Sequence, residues 1–192
     1  MQAIEPVRLL LVSGSTRRAS TNTAALRAVP DVAPSGVTAI LYEGLADLPA
    51  FNPDADAPGA PPHRAVRQLR EQLAEADAVL FCTPEYAGSL PGSFKNLLDW
   101  TVGSGELYGK PVAWVNVAAE GRGMGAEGAL ATVLGYVGAT VVEQACVHLP
   151  LPRQAFDEEG VVVDGQFRAR LGEVVEILVH ELQKLRSASS RP

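Results

Sequence analysis

The chain has 192 residues, 47% hydrophobic and 20% charged, with a formal net charge of −6. That mix buries the core of one ordinary domain without crosslinks and excludes a disordered body. The acidic balance argues against nucleic acid and anionic membrane as partners, since both present negative charge, while leaving room for one local basic pocket.

Cys82 and Cys146 are the two cysteines, too few and too far apart for a disulfide framework or a zinc site. Each reads as a small buried strand residue. Glu5 precedes the first apolar run, and residues 9–12 are too short for the core of a signal peptide. No apolar stretch nears the roughly 20 residues that a membrane span needs. The expected location is the cytoplasm.

In chain order, residues 7–13 (VRLLLVS) read as a buried strand stopped by Gly14. Residues 20–29 read as a helix with Ser20 or Thr21 as N-cap. Pro30, Pro34 and Gly36 separate it from a short strand at 37–41. Residues 42–62 carry Pro49, Pro53, Pro58, Pro61 and Pro62 and are long for a connection. They read as a mobile surface loop rather than a functional flap. A helix over 63–76 places Val66, Leu69 and Leu73 on one face, and a buried strand follows at 78–83.

Pro91 suits the first turn of the next helix, which carries Phe94, Leu97, Leu98 and Thr101. Residues 112–118 and 140–149 read as strands around a helix at 125–137. The last helix, 167–185, repeats Leu171, Val174, Val175, Leu178, Val179 and Leu182 at helical spacing. Residues 1–186 are expected to form one domain and 187–192 a frayed tail. Five strands interleaved with helices imply a doubly wound parallel sheet with helices on both faces. Such a sheet binds ligands beyond the carboxyl ends of its strands.

Three loops at those ends carry unusual residues. The first, Ser13 to Asn22, concentrates hydroxyls, an amide, Arg17 and Arg18 before a helix, a donor set suited to phosphate. It lacks the endings of a P-loop and of the G-x-G-x-x-G fingerprint, so a mononucleotide fits better than a pyrophosphate. A polar, well-capped turn is the plainer alternative. The second loop runs from Thr83 through PEYAGSLPGSFKNLLDW to Trp100. The third, residues 118–125 (AAEGRGMG), offers glycines for close approach to a planar ligand, and equally reads as a simple strand-to-helix turn.

The first two loops resemble the NADPH-dependent FMN reductase family, which includes related quinone, azo and chromate reductases. The match rests on Gly14, Ser15, Arg17, Ser20 and Asn22, then on Pro84, Glu85, Tyr86, Ser89, Pro91, Gly92, Lys95, Asn96, Asp99 and Trp100. The resemblance implies a flavodoxin-like, five-stranded α/β sheet of order 2-1-3-4-5 over roughly residues 7–185. It also implies that Ser15, Arg17, Ser20, Thr21 and Asn22 cradle the FMN phosphate. Pro84, Glu85, Tyr86 and Ala87 would line the isoalloxazine, and Glu120 and Gly121 its pyrimidine edge. Ala87 departs from the family's asparagine, so a side-chain contact there is lost.

For Tyr86 a buried packing role, and for Glu85 a solvated charge, stand as alternatives. Lys95, Asn96 and Asp99 are expected to cap or staple their helix, and Phe94 and Trp100 to serve core or subunit interface.

The implied activity is electron transfer from NADPH or NADH through FMN to a small acceptor: a quinone, an azo or nitro compound, a metal oxyanion or free flavin. The flavin carries the hydride chemistry, so no catalytic side chain and no metal ligand is expected. His63, His148 and His180 are scattered. A homodimer or homotetramer is implied by the family. The rival readings are a flavodoxin-type electron shuttle without nucleotide turnover and a scaffold that has lost its flavin.

Overall fold

The structure, a computed structural model, describes residues 6–57, 59–61 and 63–189. Strand β1 (Val7–Ser13) is flanked by β2 (Val37–Tyr42) and β3 (Ala78–Cys82), with Val12 opposite Tyr42 on one side and Phe81 on the other. Next to β3 lies β4 (Pro111–Asn116), and next to β4 two short pieces, β5 (Thr140–Val141) and β6 (Val147–His148). All pairings are parallel in the order β2-β1-β3-β4-β5. This is the expected flavodoxin-like order.

Because side chains alternate across a strand, β1 feeds two cores at once. Leu9 and Leu11 meet α1 (Thr21–Arg27), α2 (Val29–Val32) and α6 (Gly165–Ser189). Leu10 and Val12 meet α3 (Arg64–Glu75), α4 (Gly92–Asp99) and α5 (Met124–Tyr136) on the opposite face. Both faces of the central strands are buried, which explains why β1 and β3 read as continuous apolar runs. Phe94 and Trp100 are buried in the second core. Among the described residues no helix is long and apolar enough to cross a membrane.

Four details differ from the sequence reading. Residues 20–29 are not one helix: α1 ends at Arg27, and Pro30 sits near the start of the short α2, where its missing N–H costs nothing. The strand expected at 140–149 is broken by a helical turn, Glu143–Ala145. From Val112 to Val115 β4 advances three residues while its neighbour advances six, Val141 to Val147, so the excess loops out. α6 starts earlier, because the Asp164 carboxylate caps it by accepting from Phe167 N at 2.7 Å. It also runs to Ser189, so residues 187–189 of the expected tail are helical, and 190–192 lie outside the described residues.

Fourth, the segment 42–62, expected to be a mobile surface loop, is tied down between Pro49 and Asp56. Asn96 and the Trp100 indole both donate to the Pro49 carbonyl at 2.9 Å, and Phe51 N donates to Asn96 Oδ1 at 2.7 Å. The Phe51 ring meets the Trp100 ring edge-on at 5.0 Å. Asp56 accepts from Arg70 of α3 at 2.7 Å. The segment is a strap across the second core, held by Trp100, by Arg70 and by Asn96, which had been expected to staple its own helix. Pro58 and Pro62 lie outside the described residues.

Candidate active site

The first loop leaves β1 at Gly14, whose N–H donates to the Cys82 carbonyl at 2.9 Å. Ser13 Oγ pairs with Thr23 Oγ1 at 2.8 Å, and Ser20 caps α1 by accepting from Thr23 N at 3.3 Å. Residues 16–19 are exposed, and among the described residues Arg17 and Arg18 have no ion-pair partner. Most other arginines here are paired: Arg8, Arg27, Arg67, Arg70, Arg168, Arg170 and Arg186 each meet a carboxylate. In an acidic protein, two adjacent unpaired cations beside exposed hydroxyls form an anion-receptive surface.

Cavities flank this loop on both sides. Ser15 and Arg17 line a space of about 190 Å³ bounded by Tyr42 of β2. Ser20 and Thr21 line a larger one of about 950 Å³, and Arg18 borders both. Burial, then Asp47, pushes the Tyr42 phenol up to about 12, so it stays protonated beside the smaller space. Asn22 Oδ1 accepts from the Cys82 thiol at 3.3 Å, tying α1 to the end of β3 and leaving its amide N–H groups as donors. Burial drives the Cys82 thiol far above its ordinary range and holds Cys146 at about 11, so neither is a thiolate at neutral pH.

The second loop turns sharply at its tip. Tyr86 N donates to Ser89 O at 3.0 Å and Ser89 N to Tyr86 O at 3.1 Å, closing a two-residue turn. Its central residues, Ala87 and Gly88, have φ of 51° and 74°. Two successive positive φ values favour Asn-Gly, which gives the departure at position 87 a backbone meaning. Alanine keeps the turn but carries the left-handed strain that asparagine tolerates. Ala87→Asn is therefore expected to stabilise the protein by about 1 kcal/mol in denaturant unfolding. An unchanged midpoint would show that the turn is not under strain.

Tyr86 is 56% exposed, so the buried packing role is set aside and its ring is presented at the rim. Glu85 is not a merely solvated charge either. Its Oε2 accepts from Gly125 N at 2.7 Å and Ala126 N at 3.2 Å, capping the start of α5. A Cβ on Gly125 would lie 2.3 Å from the Gly88 carbonyl oxygen, so the second loop and α5 touch only because residue 125 is glycine. Lys95 and Asp99 pair at 2.5 Å along α4.

The third loop is organised by a residue the sequence reading passed over. Asn116, buried at the end of β4, accepts from Ala118 N at 2.9 Å and donates to Arg122 O at 3.0 Å. Gly123 lies so close that a Cβ would come within 2.4 Å of the Asn116 amide. Glu120 and Gly121 stand exposed at the turn this staple holds, with Gly121 at φ 72°. His148 Nε2 lies 2.9 Å from the Ala118 carbonyl on the other side. The available signal was a single polar residue closing the apolar run VAWVN.

The loops form one rim. Gly14 against Thr83, with Asn22 on Cys82, joins the first to the second, and Glu85 on α5 joins the second to the third. With strands spaced about 4.8 Å apart, the roots of the first and third loops stand about 10 Å apart.

Residues 7–152 match the family model for NADPH-dependent FMN reductase. The chain belongs to that family. Over 185 residues it is 32% identical to an NAD(P)H-dependent FMN reductase of Pseudomonas aeruginosa, covering 95% of this chain and 98% of that protein. It is 34% identical over 158 residues to a quinone reductase of Pseudomonas putida, covering 80% and 83%. Among solved structures, FerB, a flavoenzyme NAD(P)H:(acceptor) oxidoreductase of Paracoccus denitrificans, superposes with TM-score 0.79 at 27% identity, covering 93% of this chain and 98% of that one. This FMN reductase family member is thus an oxidoreductase with FMN as cofactor and a reduced nicotinamide nucleotide as donor.

Proposed function

We propose that the rim holds FMN at its two ends and that the enzyme passes electrons from NAD(P)H to small diffusible acceptors, quinones foremost. The observation that carries this reading is the joining of the three loops: a phosphate-receptive surface with unpaired arginines is braced against an exposed aromatic turn. Ser15, Arg17, Ser20, Thr21 and Asn22 supply hydroxyl, guanidinium and amide donors for the phosphate. Pro84, Glu85, Tyr86 and Ala87 supply the platform for the ring, through backbone groups and the Tyr86 face. Glu120 and Gly121, held out by Asn116, border the ring's polar edge.

FMN, when bound, supplies the hydride chemistry, and the side chains orient and shield it. Glu85 acts at one remove, by fixing the second loop on α5. The relatives named quinone reductase support quinones over azo, nitro or metal-oxyanion acceptors. Tyr86 and Met124, 56% and 70% exposed at the rim, support a subunit boundary close to the flavin in a cytoplasmic homo-oligomer.

The test is steady-state NADPH and NADH oxidation by FMN-loaded protein against quinones, azo and nitro compounds, chromate and free flavin. Light scattering on the same sample reads its mass. Turnover fastest with quinones is the expected result. No nucleotide oxidation with any acceptor would overturn the reading.

A further inference from the structure

The larger cavity exceeds what a flavin phosphate alone requires, and most of its far wall lies beyond the segment that the family model matches. That wall is residues 151–160, of which all but Leu151 and Pro152 follow the last residue matched by the family model. It begins with a helical turn, Arg153–Ala155, and is clasped by the pairing of Phe156 with Val162. Arg153 faces the cavity and, among the described residues, has no ion-pair partner. Leu151 and Phe156 add apolar surface, and Glu158 and Glu159 add carboxylates that have no ion-pair partner among the described residues. Asp157 is spent within the wall, accepting from Val161 N at 2.8 Å.

Unpaired guanidinium groups for phosphate, an apolar surface for a purine, and carboxylates for its exocyclic amine are together the complement of a phosphorylated adenosine. We propose that this cavity takes the adenosine 2′-phosphate end of NADPH, with Arg153 as the residue that favours NADPH over NADH. The proposal rests on the oxidoreductase reading above. It places the donor's distal end at the 151–160 wall, leaving Ser20 and Thr21 on the cavity's first-loop side to the flavin phosphate and the flavin rim to nicotinamide and acceptor. The cavity is adjacent to that rim, sharing Ser20, Thr21 and Arg18 with the first loop.

The experiment compares wild type, Arg153→Ala and Arg153→Lys, all loaded with FMN. Arg153 is exposed and unpaired, so its removal leaves the fold intact. The NADPH-to-NADH ratio of kcat/KM is expected to fall about tenfold or more in Arg153→Ala, with partial recovery in Arg153→Lys. Calorimetric binding of adenosine 2′,5′-bisphosphate to the FMN-loaded protein is expected to weaken in step, while 5′-AMP binding changes little. An unchanged ratio and unchanged bisphosphate binding overturn the proposal and leave the oxidoreductase reading standing. A matching loss of FMN affinity, read by flavin fluorescence titration, also overturns it, because the arginine would then serve the flavin phosphate. If wild type binds FMN but oxidises neither nucleotide, both readings fall.

Discussion

Gly14→Ala is expected to lower unfolding stability by about 3 kcal/mol, since a methyl group is forced into a filled space. An alanine Cβ at position 14 would lie 2.0 Å from Thr83 Oγ1, 2.6 Å from Thr83 Cβ and 3.0 Å from Phe94 Cδ1. None of these is the yielding end of a flexible side chain. Thr83 is β-branched and short, and Phe94 is fully buried in the second core. The clash is relieved only by parting the first loop from the second. Bringing them together again around the cofactor then costs a similar amount, or about a hundredfold in FMN affinity.

Gly128→Ala is the control, because nothing lies within 4 Å of its Cβ position in α5. It is expected to stabilise by about 0.5–1 kcal/mol through helix propensity. Flavin fluorescence titration and urea unfolding read both variants. A Gly14→Ala protein that binds FMN like wild type would show that the loop junction is not what positions the site.

Arg70→Ala is expected to cost about 3 kcal/mol by stranding a partly buried charge cluster. The guanidinium donates to Asp56 Oδ1 at 2.7 Å and to the Trp100 carbonyl at 2.7 and 3.1 Å, and lies 3.8 Å from Glu106 Oε1. It also sits 5.9 Å from the centre of the Trp100 ring. The side chains of Arg70, Asp56 and Glu106 are 19%, 14% and 12% exposed, which takes the cluster out of the class of weak surface pairs. Arg70→Lys keeps the charge without the forked donor set and is expected to fall between the two. Release of the strap would appear as new limited-proteolysis cleavage within residues 49–57. A loss below 1 kcal/mol with unchanged proteolysis would contradict this account of the strap.

Elements whose signals are local were legible from the chain alone. The apolar run VRLLLVS needs burial on both faces and marked β1 from end to end, and Ser20 capped α1 as its chemistry required. Features decided by distant partners were not legible. Nothing near residues 42–62 announces that Asn96, Trp100 and Arg70 hold them. The break between β5 and β6 depends on register against β4, which an alternating apolar pattern does not encode.

The candidate site shows the same division. Its donors and glycines stood out because polar residues directly after buried strands need a reason. How they are braced did not stand out. Glu85 looked like a ligand-facing or solvated acid and is a helix cap 40 residues distant in sequence. Position 87 looked like a lost side-chain contact, and its left-handed backbone gives asparagine a different purpose there.

The most direct measurement is an electron-density map of crystals grown with FMN. The phosphate is expected among Ser15, Arg17, Ser20 and Thr21, and the ring between the Tyr86 turn and the Glu120–Gly121 tip. A flavin lodged elsewhere, or a fully loaded crystal in which those two loop tips do not touch the ring, would contradict it.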